Sequence, residues 1–205
     1  VAIARNSPDY FAGTVGTAVL SGYSGRLNQE IRVKRGLSYG AGAQLVTRHE
    51  PGVFLASTLV EHVRVAEATQ VVLETLGGLA RSAVDAAQLA IRKETITGGF
   101  YRGIETIDGI AGTLGEFALY DVPLSDLDRY VGCIAAVDAG DVQRFAQTYI
   151  AAHPFVVLVG NVADFGAAIS AAHPGAQIIA YDRLDLNLAT LAAEAASLEL
   201  RAESG

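Results

Sequence analysis

The chain has 205 residues, 51% of them hydrophobic, and a formal net charge of −7. A domain of this size buries roughly 70% of its unfolded surface, so folding requires no disulfide or metal staple. The single cysteine, Cys133, excludes an internal disulfide framework and a Cys-rich zinc module, and the acidic balance argues against a nucleic-acid binder or a protein docked on an anionic membrane.

No apolar run reaches the ~20 residues needed to span a bilayer. The chain begins at Val1, contains no methionine, and shows no basic region followed by an apolar run. These features predict a segment of a longer chain without a signal peptide of its own.

Val1 to Arg5 reads as the tail of a strand. Ser7-Pro8-Asp9 predicts a helix start, with Phe11, Val15, Ala18 and Val19 on one face. After a loop at Ser21-Gly22-Tyr23, Ser24 is the expected cap of a second helix with Leu27 and Ile31 inward. Gly36 suits the left-handed position that ends it. From Ser38 the period drops to two, with Tyr39, Ala41, Ala43 and Leu45 on one face. His49-Glu50-Pro51-Gly52 is a turn, and Val53 to Leu59 completes a hairpin.

The remainder is mostly helical. Val65, Ala68, Val72 and Leu76 form a stripe that Gly77-Gly78 is expected to close. Ser82 with Asp85 resembles a capping box ahead of Leu89, Ile96 and Phe100. Thr106 opens a helix whose Gly109, Gly112 and Gly115 predict a ridge against a neighbouring element. Asp121-Val122-Pro123 breaks the chain. Two short helices follow, one with Leu127, Tyr130 and Ile134 inward, the other capped by Asp138 with Val142, Phe145 and Tyr149 inward. Phe155 to Val159 reads as a buried strand, Asp164 opens a helix, Ile178 to Tyr181 reads as a last strand, and the tail from Leu184 as a loosely attached helix. The expected class is α+β, a mostly antiparallel sheet with helices packed on it.

Three kinds of chemistry were weighed on residues alone. The histidines His49, His62, His153 and His173 contain no pair within one helical turn, and Glu61-His62 stands by itself. The sequence therefore predicts no metal site in this chain. Gly36-Leu37-Ser38-Tyr39-Gly40 matches G-x-S-x-G, but a nucleophile elbow needs a strand before the serine and a helix after it, the reverse of the order here. A serine hydrolase using Ser38 is thus the weakest reading. The densest polar stretch runs from Arg26 to Tyr39. It reads either as a solvated helix face favoured by the helix dipole or as a site in which Arg32 and Tyr39 act together. A tight turn at Gly36 can bring the guanidinium and the phenol to one spot, where both are donors suited to carbonyl oxygens or an oxyanion.

The run Ser24-Gly25-Arg26-Leu27-Asn28-Gln29-Glu30-Ile31-Arg32-Val33-Lys34-Arg35-Gly36-Leu37-Ser38-Tyr39-Gly40 resembles the signature of pitrilysin-type (M16) metallopeptidase domains. Ser7 to Ala12 followed by Val19 to Gly22, and Ala136 to Val142 followed by Phe155 to Gly160, resemble the opening and close of the same domain. The resemblance covers residues 1–182, with 183–205 as a helical tail. It implies homologous halves that face each other, one carrying zinc on an HxxEH motif and the other contributing an Arg/Tyr pair. This chain lacks the zinc motif and resembles the non-zinc half only. The family's pair maps onto Arg32 and Tyr39, with Arg35 as the alternative arginine. They would bind the peptide substrate and support catalysis at a zinc held by the partner half, which polarises the scissile carbonyl and activates water. The competing implication is a structural or assembly homologue that has kept the fold without proteolysis.

Overall fold

In the computed structural model, residues 2–152 and 154–192 are described. They pack as two units, one ending at Val159 and one starting at Gly160.

The first unit is organised around helix α1, Tyr10–Leu20. Val15, Val19 and Leu20 on it are fully buried, each contributing about 1.5–3 kcal/mol through removal of apolar surface from water. Glycines let this helix sit deep: a Cβ on Gly13 would lie 2.7 Å from both Leu45 Cδ2 and Phe145 Cζ. Helix α2, Arg26–Asn28, continues directly into a π turn, Gln29–Val33. Its N-cap is Gly25 with no side-chain cap, not Ser24, whose carbonyl instead accepts from the Arg92 guanidinium at 2.6 Å.

Strands β1, Ala41–Val46, and β2, Val53–Thr58, form an antiparallel hairpin in register from Ala41 opposite Thr58 to Val46 opposite Val53. Ala41, Ala43 and Leu45 face the core as the period of two requires, but the strand begins at Ala41, so Tyr39 stands outside it. The Ser21 hydroxyl at the end of α1 bonds both the N–H and the carbonyl of Ala43, tying the helix to the hairpin.

Helix α3, Val65–Arg81, runs through Gly77-Gly78 rather than stopping there. Glycine costs about 1 kcal/mol in a helix interior, which burial of Leu79 offsets. Helix α4, Ala86–Gly103, is capped by Asp85, which accepts from the amides of Ala87 and Gln88. Ser82 bonds back to the Gly78 carbonyl at the end of α3 instead of capping α4. Helix α5, Ile107–Leu119, is capped by Thr106 as expected; of its predicted glycine ridge, Gly109 lies so close to the Gly103 carbonyl at the end of α4 that a Cβ would clash, whereas a Cβ on Gly112 or Gly115 would meet nothing within 4 Å. Helix α6 spans Ser125–Ala136. Helix α7, Ala139–Phe145, extends into a second π turn, Ala146–Ile150, and starts with a full capping box: Asp138 accepts from the Asp141 amide at 2.8 Å, and Asp141 accepts from the Asp138 amide at 3.0 Å.

The α+β class holds in helix-rich form: among the described residues the regular sheet is the antiparallel pair β1 and β2, smaller than the sequence led one to expect. Residues 2–5 lie hydrogen-bonded beside 48–52, with Ala2 and Ile3 buried, without forming a regular strand. Residues 155–159 and 178–181 are not strands, and Phe155, Val157 and Val159 are exposed rather than buried. An apolar β-branched run signals a strand only if a partner edge is supplied from elsewhere, which local sequence does not record.

In the second unit, helix α8, Val162–Ala172, is capped by Asn161, with Asp164 in its first turn. Leu184 bridges Ala192, and residues 184–192 are not helical. The rest of the expected tail helix, 193–205, lies outside the described residues. No helix among the described residues is long and apolar enough to cross a membrane.

Candidate functional site

The polar stretch folds around a turn whose two ends are anchored in apolar packing. Ile31 and Leu37 are buried and pack with Ala68 and Val71 of α3. Between them Gly36 adopts φ +58°, in the left-handed region that glycine enters without strain. Its amide donates to the Arg32 carbonyl at 3.0 Å, and the Leu37 amide donates to the Ile31 carbonyl at 2.8 Å. The buried pair holds the turn while residues 33–36 stay exposed.

This geometry brings Arg32 and Tyr39 together. The guanidinium carbon of Arg32 lies 4.7 Å from the centre of the Tyr39 ring, a cation–π contact. It also lies 5.4 Å from the ring of Tyr23, in the loop between α1 and α2. Both rings are exposed, Tyr23 at 74% and Tyr39 at 89%. Sequence reading placed Tyr23 in a loop and gave it no role. No spacing rule links it to Arg32, and its glycine-flanked turn is the one local signal.

The three cations nearest the turn, Arg32, Lys34 and Arg35, divide sharply. Lys34 and Arg35 both reach Glu30, each at 2.5 Å, and Arg35 also donates to the Glu30 carbonyl at 3.0 Å. The hydrogen bonds from Lys34 and then Arg35 hold the Glu30 carboxyl below its ordinary range. Among the described residues no acid pairs with Arg32. Arg35, the alternative arginine, is therefore engaged within its own helix, while Arg32 presents N–H groups beside the Tyr39 phenol. The π turn that contains Arg32 is a local irregularity of a kind frequent at functional sites.

The Ser38 hydroxyl is occupied by the backbone. It bonds the carbonyls of Gly40 and Leu59 and accepts from the Gly40 amide at 3.2 Å. Helix precedes it and strand follows it, so the elbow geometry is absent.

Among the described residues no side-chain set fits a zinc ion. His49 pairs with Asp121 at 3.0 Å on an exposed surface, and no group of three or more His, Cys, Asp or Glu side chains able to hold a metal occurs among the described residues. A cleft of about 440 Å³ between α2 and α3 is lined by Arg26, Glu30, Arg35, Glu74 and Arg81. Arg32 and Tyr39 do not line it. The Tyr39 ring stands on an open surface.

Residues 2–96 match the family model described as the peptidase M16 inactive domain. The chain is 32% identical over 103 residues to an uncharacterised zinc protease of Mycobacterium leprae (strain TN), covering 50% of this chain and 23% of that protein. It is 23% identical over 152 residues to an uncharacterised zinc protease of Streptomyces coelicolor, covering 74% of this chain and 33% of the other. The chain thus spans about a quarter to a third of the length of these relatives. Its fold is similar to the crystal structure of a peptidase M16 inactive domain from Pseudomonas fluorescens, with a TM-score of 0.68 and 23% identity over 73% of this chain and 36% of that one. The matched segment contains the whole turn from Arg26 to Tyr39, and over residues 2–96 the chain is similar to the inactive domain of M16 peptidases.

Proposed function

We propose that this chain is the zinc-free half of an M16 zinc metalloendopeptidase. In that role it lends Arg32 and Tyr39 to a facing HxxEH half that holds the metal. The observation that carries the proposal is the Arg32–Tyr39 contact itself: a guanidinium without an acidic partner among the described residues, 4.7 Å from the centre of an exposed phenol ring. A planar guanidinium stacked by its face keeps its N–H edge free to donate to peptide carbonyls. The Tyr39 hydroxyl donates beside it. When a peptide carbonyl becomes tetrahedral its oxygen gains charge, and preorganised donors aimed at that position stabilise it more than they stabilise the ground state. The metal chemistry belongs to the facing half, and no side chain of this chain enters it.

The reading is tested by following hydrolysis of quenched-fluorescent peptides by this chain alone, then after addition of a zinc-bearing HxxEH half of the same family. Cleavage is expected in the mixture only. A mixture that assembles but stays inert identifies a structural homologue, and cleavage by this chain alone with a fluorophosphonate label on Ser38 identifies a serine hydrolase.

A further inference from the structure

Tyr23 is an exposed aromatic at a position where the fold needs none. It follows Gly22, whose φ of +82° sets a left-handed bend, and the Gly25 amide closes the turn on the Gly22 carbonyl at 3.0 Å. The turn is fastened from below. The side-chain amide of Asn28, itself buried, donates to the Tyr23 carbonyl at 2.8 Å, and the Gln29 amide donates to the same oxygen at 3.4 Å. The backbone of Tyr23 is therefore fixed while its ring stands in solvent, within cation–π range of Arg32.

An arginine side chain loses rotamer freedom when it is held in one geometry. For Arg32 no carboxylate of the described residues supplies that restraint. Two aromatic rings do, one from the loop before its helix and one from the segment after it. Rings restrain a guanidinium without consuming its N–H donors, as a carboxylate would. From this we infer that Tyr23 is a positioning residue: its ring, not its hydroxyl, holds the Arg32 guanidinium in a donor-ready pose against Tyr39. The inference rests on the proposed role of Arg32 for its consequence in catalysis, but the contact itself is testable without it.

Two experiments separate these. The chain contains no tryptophan, so Tyr23→Trp places a single tryptophan at this position. Excited selectively over the seven remaining tyrosines, the emission of this tryptophan is expected to change on adding Arg32→Ala and to stay unchanged on adding Arg35→Ala, whose guanidinium is held by Glu30. Emission indifferent to Arg32→Ala overturns the inference. In the assembled peptidase, Tyr23→Ala is expected to lower kcat by roughly two- to fivefold with KM little changed, the size of an exposed cation–π contact, while Tyr23→Phe restores it. Wild-type kcat in Tyr23→Ala, in an assembly where Arg32→Ala is impaired, also overturns the positioning role and leaves the proposed function standing. An Arg32→Ala assembly with wild-type turnover defeats the proposed function instead, and the emission test then decides the contact by itself.

Discussion

Two arginines in this chain stack on aromatic rings, and their surroundings are opposite. Arg5 is 5% exposed, its guanidinium carbon lies 3.8 Å from the Tyr10 ring and 5.4 Å from that of Phe117, and its Nε donates to Glu116 at 2.8 Å. Arg32 has the same two-ring environment from Tyr23 and Tyr39, but both rings are exposed and no acid of the described residues pairs with it. At Arg5 the charge is neutralised and the contact ties the N-terminal segment to α1 and α5. At Arg32 the same kind of cation–ring contact leaves the charge without a neutralising acid among the described residues. The acid, rather than the ring, distinguishes an arginine that holds the fold from one that is offered outward.

Unfolding of the isolated chain distinguishes the two arginines. Arg5→Ala is expected to cost the most, about 2–3 kcal/mol in urea unfolding. That lies below the figure for a fully buried ion pair, because the Glu116 carboxylate left behind is 47% exposed and can be hydrated. Gly36→Ala is expected to cost about 1–2 kcal/mol, since a Cβ strains the left-handed backbone at φ +58° even though it meets no neighbour, and Gly36→Asn should recover part of it. Arg32→Ala should cost no more than about 1 kcal/mol, the loss of exposed ring contacts. A cost equal to that of Arg5→Ala would make Arg32 structural and erase the contrast.

Smaller effects concern pH. Burial pushes the Tyr10 phenol up, with Arg5 opposing, and burial followed by proximity to Tyr10 pushes Tyr130 up. A phenol whose proton is held more tightly in the folded state contributes stability that is complete below the ordinary phenol range and is lost as pH rises through the raised value. Alkaline melting should therefore be shallower in Tyr130→Phe. Glu30 titrates in the other sense. Its depressed carboxyl contributes stability present above the ordinary carboxylate range and lost as pH falls through the lowered value. Glu30→Gln should flatten the acid limb by less than about 1 kcal/mol, as befits a surface pair.

What could be read from sequence was what is decided within a turn or two. The left-handed Gly36, the buried face of Val15 and Val19, the Asp138 cap and the meeting of Arg32 with Tyr39 all follow from spacing over a few residues. The misreadings were decided at longer range. Helix α3 passes two glycines because Leu79 finds a buried site against other elements. Residues 155–159 have strand composition but no strand partner among the described residues. Tyr23 went unassigned because its relation to Arg32 is made by two turns together, and neither turn encodes it separately.

The central claim is that Arg32 and Tyr39 supply donors to a reaction whose metal lies on another half. Its most direct measurement is peptide turnover by the assembled peptidase built with wild-type, Arg32→Ala or Tyr39→Phe chains, with bound zinc quantified in each. Turnover should fall by roughly 10²–10³ in Arg32→Ala and also fall sharply in Tyr39→Phe, at unchanged zinc content and unchanged assembly. Wild-type rates in both variants would contradict the claim.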